Sequence, residues 1–294
     1  MRGANSAPTE RVLDVIELLS ESRDRPLRFS DVARELNLSQ ATAHAILKTL
    51  TARGWVSRDP TSKEFALGPA LAVIAHRLAT TRPLAATARD AIDRLVKSTG
   101  MPASVVERNG DELVITAFAN PDGSAGRNLP RERIPYAPPF GIACAAWDTP
   151  DEQESWVRRG AAGDAQLVER LHGVLAETRA RGYDVDWMTP ALAQAAHALG
   201  TLTGETVPQN LRAVVDQLRV EFISANPLSD DNSLGAHPVA TISAPVLDDS
   251  GRVRLILGIH PLRTMTIDEI RSAAEPLLGE IAGISSQTVL EACS

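Results

Sequence analysis

Residues 29–67 read FSDVARELNLSQATAHAILKTLTARGWVSRDPTSKEFAL, and this stretch decides the fold of the N-terminal part of the chain. Ser30 is suited to cap a short helix, and Asn37 tolerates the left-handed backbone of a sharp turn between helices. Ser39 can cap a further helix over residues 40–53, whose apolar positions recur at helical spacing: Ala43, Ile46, Leu47 and Leu50. The stretch therefore predicts two helices joined by a tight turn.

A β-hairpin is predicted directly after these helices. The segments at 55–58 and 64–67 have strand-forming residues, and the run between them, Asp59 to Lys63, is rich in turn formers. An amphipathic helix over 9–21 precedes the pair, with apolar residues spaced three and four apart. The whole order predicts a winged helix-turn-helix, which places its last helix in the major groove of DNA.

The outer face of the predicted recognition helix carries polar side chains near its start, where such helices meet base edges. Two basic residues of the hairpin are placed to contact phosphates. The DNA-binding residues predicted on this basis are Ser39, Gln40, Thr42, His44, Lys48, Arg58 and Lys63. The alternative is that the winged helix binds a protein partner instead of DNA.

Composition bounds the rest of the chain. Its 294 residues are enough for two domains, and 44% hydrophobic residues support real cores. No apolar run approaches the ~18 residues of a transmembrane helix, and the first residues form no signal peptide. Cys144 and Cys293 lie far apart and match no metal-binding spacing, so we expect a cytoplasmic protein without a membrane partner, a metal site or a cofactor.

Charge is distributed unevenly between the two parts of the chain. Residues 1–80 hold 11 basic and 9 acidic residues, a net of +2, whereas residues 81–294 hold 19 and 28, a net of −9. The overall charge of −7 therefore conceals a mildly basic head on an acidic body.

The body shows strands and helices in mixed order. Asn109-Gly110 predicts a hairpin between strands at 103–107 and 112–119, and apolar strands are predicted at 239–247 and 253–260. Helices are predicted around them, including one over 164–181 and others opened by the capping pairs Thr149/Glu152 and Thr266/Glu269. The predicted fold class is α+β, with an antiparallel sheet flanked by helices.

The chain resembles the IclR family of bacterial transcriptional regulators. The resemblance rests on RVLDVIELLS, FSDVARELNLSQATAHAILKTLTARGWVSRD and EFALGPALAVIAHRLA in the head, and on GYDVD and ATISAPVLDDSGRVRLILGI in the body. It implies a flexible tail (1–8), a winged helix-turn-helix domain (9–68), a linker helix (69–83) and a GAF-like effector-binding domain (84–290). Two departures stand out: Ala45 replaces an arginine that is common in the family, and residues 188–238 read as an insertion.

By this resemblance, the protein binds a double-stranded operator as a homodimer or tetramer, and a small-molecule effector modulates that binding. The linker helix, with Leu71, Ile74 and Leu78, is the expected dimer seam. The resemblance also implies an effector cavity formed by the concave face of the sheet and by the helix after the PPFG-like loop. Its expected lining is Val106, Phe118, Tyr136, Gly141, Cys144, Trp147, Tyr183, Asp186 and Ser243. None of these is an arginine, which argues against a carboxylate effector.

A small-molecule enzyme is the remaining alternative. It would pair Cys144, as a nucleophile, with one of four histidines as a base: His172, His197, His237 or His260. The surroundings of Cys144, FGIACAAWD, are apolar and favour a buried thiol. No histidine pair has i, i+4 metal spacing, and no nucleophile-elbow or phosphate-loop motif occurs, so we predict no catalytic residues.

Overall fold

The computed structural model describes residues 6–22, 26–81, 83–123, 133–161, 163–186 and 235–292. The chain divides into two compact units between Pro83 and Leu84, here called the head and the body. Most of the predicted insertion at 188–238 lies outside the described residues. No helix within them is long and apolar enough to cross a membrane.

The head contains helices and short strands in the order α1 (Ala7–Glu21), β1 (Leu27–Arg28), α2 (Phe29–Glu35), α3 (Gln40–Ala52), β2 (Val56–Arg58), β3 (Glu64–Leu67) and α4 (Pro69–Thr81). Their apolar faces enclose a core centred on Val15, Val32, Leu47, Val56 and Phe65. The winged helix-turn-helix predicted from the sequence is confirmed.

The turn into α3 follows the predicted local chemistry. Asn37 has a φ of 48°, in the left-handed region that an asparagine tolerates. The hydroxyl of Ser39 accepts a hydrogen bond from the backbone amide of Thr42 at 3.2 Å, which satisfies one otherwise unpaired amide at the start of α3.

Two helix starts in the head differ from the prediction. Helix α1 begins at Ala7, inside the predicted tail, because Pro8 fits the first turn of a helix, where no amide partner is needed. Helix α2 begins at Phe29, so Ser30 lies within the helix and is not its cap. The Asp31 carboxylate instead accepts a hydrogen bond from the backbone amide of Arg28 at 3.0 Å.

A third strand joins the predicted wing. Strand β1 is only two residues long, and it pairs with β3 through Leu27 opposite Phe65 and Arg28 opposite Glu64. The sheet order is β1-β3-β2. Two residues carry no alternating pattern, so this strand could not be read from the sequence.

Helix α5 (Pro83–Thr99) begins at the boundary between the units, and the body continues through a mixed series of strands and helices. In chain order these are β4 (Ala103–Asn109), β5 (Glu112–Ala119), β6 (Arg133–Pro135), α6 (Ile142–Ala145), α7 (Pro150–Ala161), α8 (Ala165–Arg181), β7 (Asp184–Asp186), β8 (His237–Val239), β9 (Thr241–Leu247), β10 (Val253–Ile259), β11 (Arg263–Met265) and α9 (Ile267–Ala292). Thr149 and Glu152 bond to each other at the start of α7, and Thr266 and Glu269 do so at the start of α9.

An antiparallel sheet organises the body. Within the described residues its strand order is β6-β5-β4-β10-β9-β7, and β8 pairs separately with β11. On one face, the first core packs the sheet against α5 and α9; on the other, the second core packs it against α6, α7 and α8. The predicted α+β class, an antiparallel sheet flanked by helices, is confirmed.

Candidate DNA interface and effector site

The outward face of α3 carries small and polar side chains. Its core-facing residues are buried, whereas Gln40, Ala41, His44, Ala45 and Lys48 are exposed. At 100° per residue, Ala41, Ala45 and Lys48 lie opposite the buried stripe. The sequence prediction named Lys48 as a contact and noted Ala45, but it did not include Ala41, because it sought polar groups.

The predicted contact residues of α3 are not equally free. The Thr42 hydroxyl lies 2.8 Å from the Ser39 hydroxyl, so both belong to the helix cap. The His44 ring packs edge-on against Phe29, with ring centroids 6.3 Å apart. Gln40 and Lys48 make no hydrogen bond or ion pair within the described part of the chain, and they are available to a ligand.

The wing holds its two basic residues differently. The Asp59 carboxylate accepts hydrogen bonds from the amides of Ser62 and Thr61, at 2.7 Å each, and these lower the pKa of Asp59. Lys63 has a φ of 62°, and its ammonium donates to the Pro60 carbonyl at the tip of the wing. The Arg58 guanidinium lies over the Phe65 ring, 5.5 Å from its centroid.

A row of side chains crosses the second face of the body sheet. Strand register sets neighbours in the order Phe118, Ser104, Gly258, Ser243 and Asp184, one from each of five strands. Gly258, in the middle, leaves a gap between two hydroxyl-bearing residues. The row therefore combines an aromatic end, a polar centre and a carboxylate.

His260 lies beside this row. Its Nε2 is 3.0 Å from the Ser104 hydroxyl and its Nδ1 is 3.1 Å from the Thr241 hydroxyl. Its ring is 5.3 Å from the Phe118 ring, centroid to centroid. Burial lowers the pKa of His260 to about 4, so the imidazole is neutral near pH 7.

Asp184, at the other end of the row, is held in a desolvated position. Burial raises its pKa to about 6, against the opposing effects of the nearby Arg181 and the Val185 amide. The carboxylate is ionised at neutral pH at a cost in stability.

The structure brings together only some of the predicted effector residues. Val106, Phe118, Asp186 and Ser243 share the second face of the sheet. Tyr183 lies in the first core on the opposite face, because side chains two residues apart on a strand point the same way and Val185 belongs to that core. Sequence reasoning therefore missed Asp184, Ser104, Gly258 and His260.

The remaining four predicted residues lie around α6, in the second core. Tyr136 and Cys144 are almost fully buried, and Trp147 is half-buried beside them. Gly141 has a φ of 84°, and a Cβ there would lie 2.7 Å from the Tyr136 ring. These residues pack around the loop before α6, and of the four only Tyr136 and Cys144 are almost fully buried.

Tyr136 is the centre of a charged network. Its hydroxyl and the Arg108 guanidinium both donate to Oδ2 of Asp148, and the guanidinium lies 4.0 Å from the centroid of the tyrosine ring. Burial raises the pKa of the Cys144 thiol to about 11, so the thiol stays protonated. His260, which bonds to Ser104 and Thr241, gives this thiol no base. No cluster of metal-ligating side chains occurs among the described residues.

Known proteins resemble both units. Residues 8–60 match the model of the IclR helix-turn-helix domain. The glycerol operon regulatory protein of Streptomyces coelicolor is 29% identical over 187 residues, which are 62% of this chain and 73% of that protein. An IclR transcriptional regulator from Alicyclobacillus acidocaldarius has the same fold, with a TM-score of 0.59 and 23% identity over 96% of this chain and 99% of that one.

A second solved structure carries a small molecule. It is an IclR homolog from Microbacterium hydrocarbonoxydans in complex with 4-hydroxybenzoate, with a TM-score of 0.58 and 20% identity over 95% of this chain and 98% of that one. The head, the body and these matches define a DNA-binding transcriptional regulator. The head thus carries an IclR helix-turn-helix domain, and the chain has the fold of solved IclR regulators.

Proposed function

We propose that the protein binds a palindromic operator as a homodimer, with α3 of each copy in the major groove. The observation that carries this proposal is the exposed face of α3, where Gln40 and Lys48 have no partner within the described residues. Gln40 is suited to base edges and Lys48 to bases or phosphates, while Arg58 and Lys63 of the wing contact the backbone. Ser39, Thr42 and His44 border the same surface.

The dimer contact is assigned to α4. Ile74 and Leu78, about one turn apart on this helix, are each about half exposed, at 45% and 48%. Exposed apolar residues at helical spacing are typical of a helix that pairs with a partner. Because α4 directly follows the wing in the chain, a contact through it would fix the spacing between two recognition helices.

A small-molecule effector is assigned to the second face of the body sheet. The site consists of Val106, Phe118, Asp186 and Ser243, joined by Ser104, Gly258, Asp184 and His260. The mixture of an aromatic ring, hydroxyls and a carboxylate suits a small molecule with an aromatic or apolar part and hydrogen-bonding groups. A protein with the same fold forms a complex with 4-hydroxybenzoate, which supports the binding of a small molecule by this fold.

The effector acts by binding one dimer arrangement better than another. Differential affinity is the only means by which a ligand shifts such an equilibrium. Operator binding places the protein with chromosomal DNA in the bacterial cytoplasm. Regulation of this kind requires no catalysis, and the buried, protonated thiol of Cys144 agrees with that.

Selection of bound fragments from the host's genomic DNA tests the proposal. We expect recovered fragments to share an inverted repeat, and the Lys48→Ala variant to bind them several-fold more weakly at fixed salt. Lys97→Ala removes the same charge from an exposed position on α5, and it should bind like the wild type. Fragments without a common site, or equal affinity for the Lys48→Ala variant, would contradict the assignment of α3.

A further inference from the structure

A groove runs between α1 and α3 in the head. Its volume is about 510 Å³. Val12, Ile46 and Leu50 form an apolar floor, and Thr42, Ala45 and Thr49 belong to the wall contributed by α3. Since Ala45 also lies on the outward face of α3, the groove is continuous with the proposed DNA interface.

Arg11 provides the charge of this groove. It projects from α1, it is exposed, and it makes no hydrogen bond or ion pair among the described residues. The groove lining contains this one cation and no carboxylate. The groove is therefore complementary to an anion that approaches together with the bases read by α3.

Position 45 borders both the groove and the outward face of α3. A long side chain on Ala45 would project from α3 between the groove and the outward face. With alanine there, α3 has no cation at this point, and the nearest one across the groove belongs to α1. Position 45 of α3 thus carries no charge, whereas Arg11 on the neighbouring α1 carries a positive charge without a partner among the described residues.

We propose that the groove receives the sugar–phosphate backbone of the DNA strand flanking α3, and that Arg11 binds a phosphate of that strand. This inference rests on the proposed operator binding. Duplex DNA is the occupant because the groove adjoins the recognition face. In addition, a DNA phosphate is an anionic partner for Arg11, which has no such partner among the described residues. The apolar floor lies against the deoxyribose.

The first test measures operator affinity at several salt concentrations for the full-length protein. We expect Arg11→Ala to weaken binding about 5- to 10-fold near 100 mM salt, uniformly across operator variants, and to lower the salt slope by about 0.9. Arg89→Ala makes the same charge change at an exposed position on α5, and should leave both quantities unchanged.

A rescue experiment tests whether Arg11 and position 45 serve the same phosphate. Adding Ala45→Arg to Arg11→Ala should restore most of the lost affinity and the lost salt dependence. Ala180→Arg, which adds the same charge at an exposed position of α8, should not. Circular dichroism checks that the variants keep the wild-type fold.

The outcomes separate the two proposals. If the wild-type protein binds no genomic fragment, the proposed function is wrong. A wild-type protein that binds, alongside an Arg11→Ala variant with unchanged affinity and salt slope, overturns the groove assignment alone. So does a change of sedimentation coefficient in Arg11→Ala without DNA, since it would show that a second copy of the chain occupies the groove.

Discussion

The Tyr136 hydroxyl donates a 2.5 Å hydrogen bond to the Asp148 carboxylate, and Arg108 bonds to the same oxygen at 2.8 Å. Asp148 is only 10% exposed in its side chain. These two hydrogen bonds therefore link strand β4 and the loop before α6 to the segment before α7, through the buried carboxylate of Asp148. Tyr136 stabilises this junction; it does not form an open wall of a pocket.

Tyr136→Phe should lower the free energy of unfolding by about 1–3 kcal/mol, because it leaves a largely buried carboxylate with one donor fewer. Urea denaturation followed by tryptophan fluorescence measures this. Tyr183→Phe is the matched control, since the Tyr183 hydroxyl has no hydrogen-bond partner within the described residues. Equal effects of the two substitutions would show that the Asp148 bond contributes nothing.

His260 should make the body less stable as the pH falls from about 6.5 towards 4. The folded pKa of about 4 lies below the ordinary value, so between these two pH values the unfolded chain binds a proton that the folded chain does not. The loss approaches about 1.4 kcal/mol per pH unit. Relative to His260→Gln, the wild type should lose about 1–2 kcal/mol between pH 6.5 and 5.0.

The control for this pH dependence is His172→Gln. His172 lies at an exposed position beside Glu154, with 3.3 Å between Nε2 and the carboxylate. Urea titrations at both pH values should show no comparable difference for it. A wild type and a His260→Gln variant with parallel pH profiles would rule out His260 as the source.

Asp184 should have the opposite pH dependence. Its folded pKa of about 6 lies above the ordinary value, so the folded state keeps its proton between about pH 4 and pH 6 while the unfolded state loses it. Stability therefore falls as the pH rises through this window. Asp184→Asn should raise the free energy of unfolding by about 1–3 kcal/mol at pH 7.5, and by little at pH 4.5.

Asp93→Asn, at an exposed position of α5, controls for the general effect of removing a carboxylate. Chemical denaturation of both variants at the two pH values is sufficient. A gain for Asp184→Asn that is the same at pH 4.5 and pH 7.5 would mean that ionisation of Asp184 is not its cause.

Gly258→Ala should destabilise the body by about 1 kcal/mol. The new Cβ would lie 3.3 Å from the Ser104 hydroxyl and 3.4 Å from the Thr241 methyl. Both neighbours are held by His260 and cannot move aside without losing a hydrogen bond. Gly279→Ala, on α9 with nothing near the added atom, should instead stabilise by about 0.5–1 kcal/mol, and thermal unfolding compares the two. A stabilising Gly258→Ala would show that the row tolerates a methyl group.

The double variant Ile74→Asp, Leu78→Asp should dissociate the proposed dimer. In the wild type, these half-exposed apolar side chains would be buried against the partner. In the variant, two carboxylates would be buried instead, and the cost of their desolvation should raise the dissociation constant about 100-fold or more. Sedimentation over a range of concentrations measures this. His76→Asp, on another side of α4, should retain the wild-type association. Unchanged association of the double variant would place the interface elsewhere.

Local chemistry made much of this fold predictable. The caps Ser39 and Thr266, and the left-handed turn at Asn37, depend on neighbours a few residues away, so the sequence predicts them correctly. The two-residue strand β1 depends on a partner almost forty residues later, and it was missed. An element as short as β1 has too few residues to show a pattern, whereas longer helices and strands could be predicted.

The candidate effector site was harder to predict because it depends on strand register. The predicted site includes both Tyr183 and Asp186. Side chains alternate between the two faces of a strand, so Asp184, and not Tyr183, lies on the same face as Asp186 and Ser243. Likewise, nothing in the sequence around His260 indicates that it bonds to Ser104, more than 150 positions earlier. Such contacts become visible only when five strands are set side by side.

The core of the head has a practical consequence for protein engineering. Every member of that core lies between Val12 and Phe65, and β1 forms one edge of the three-stranded sheet. The DNA-reading part thus builds its interior from a continuous segment. We therefore expect that chimeras that fuse this segment to the body of a related regulator fold, so that DNA specificity can be exchanged while the body is left unchanged.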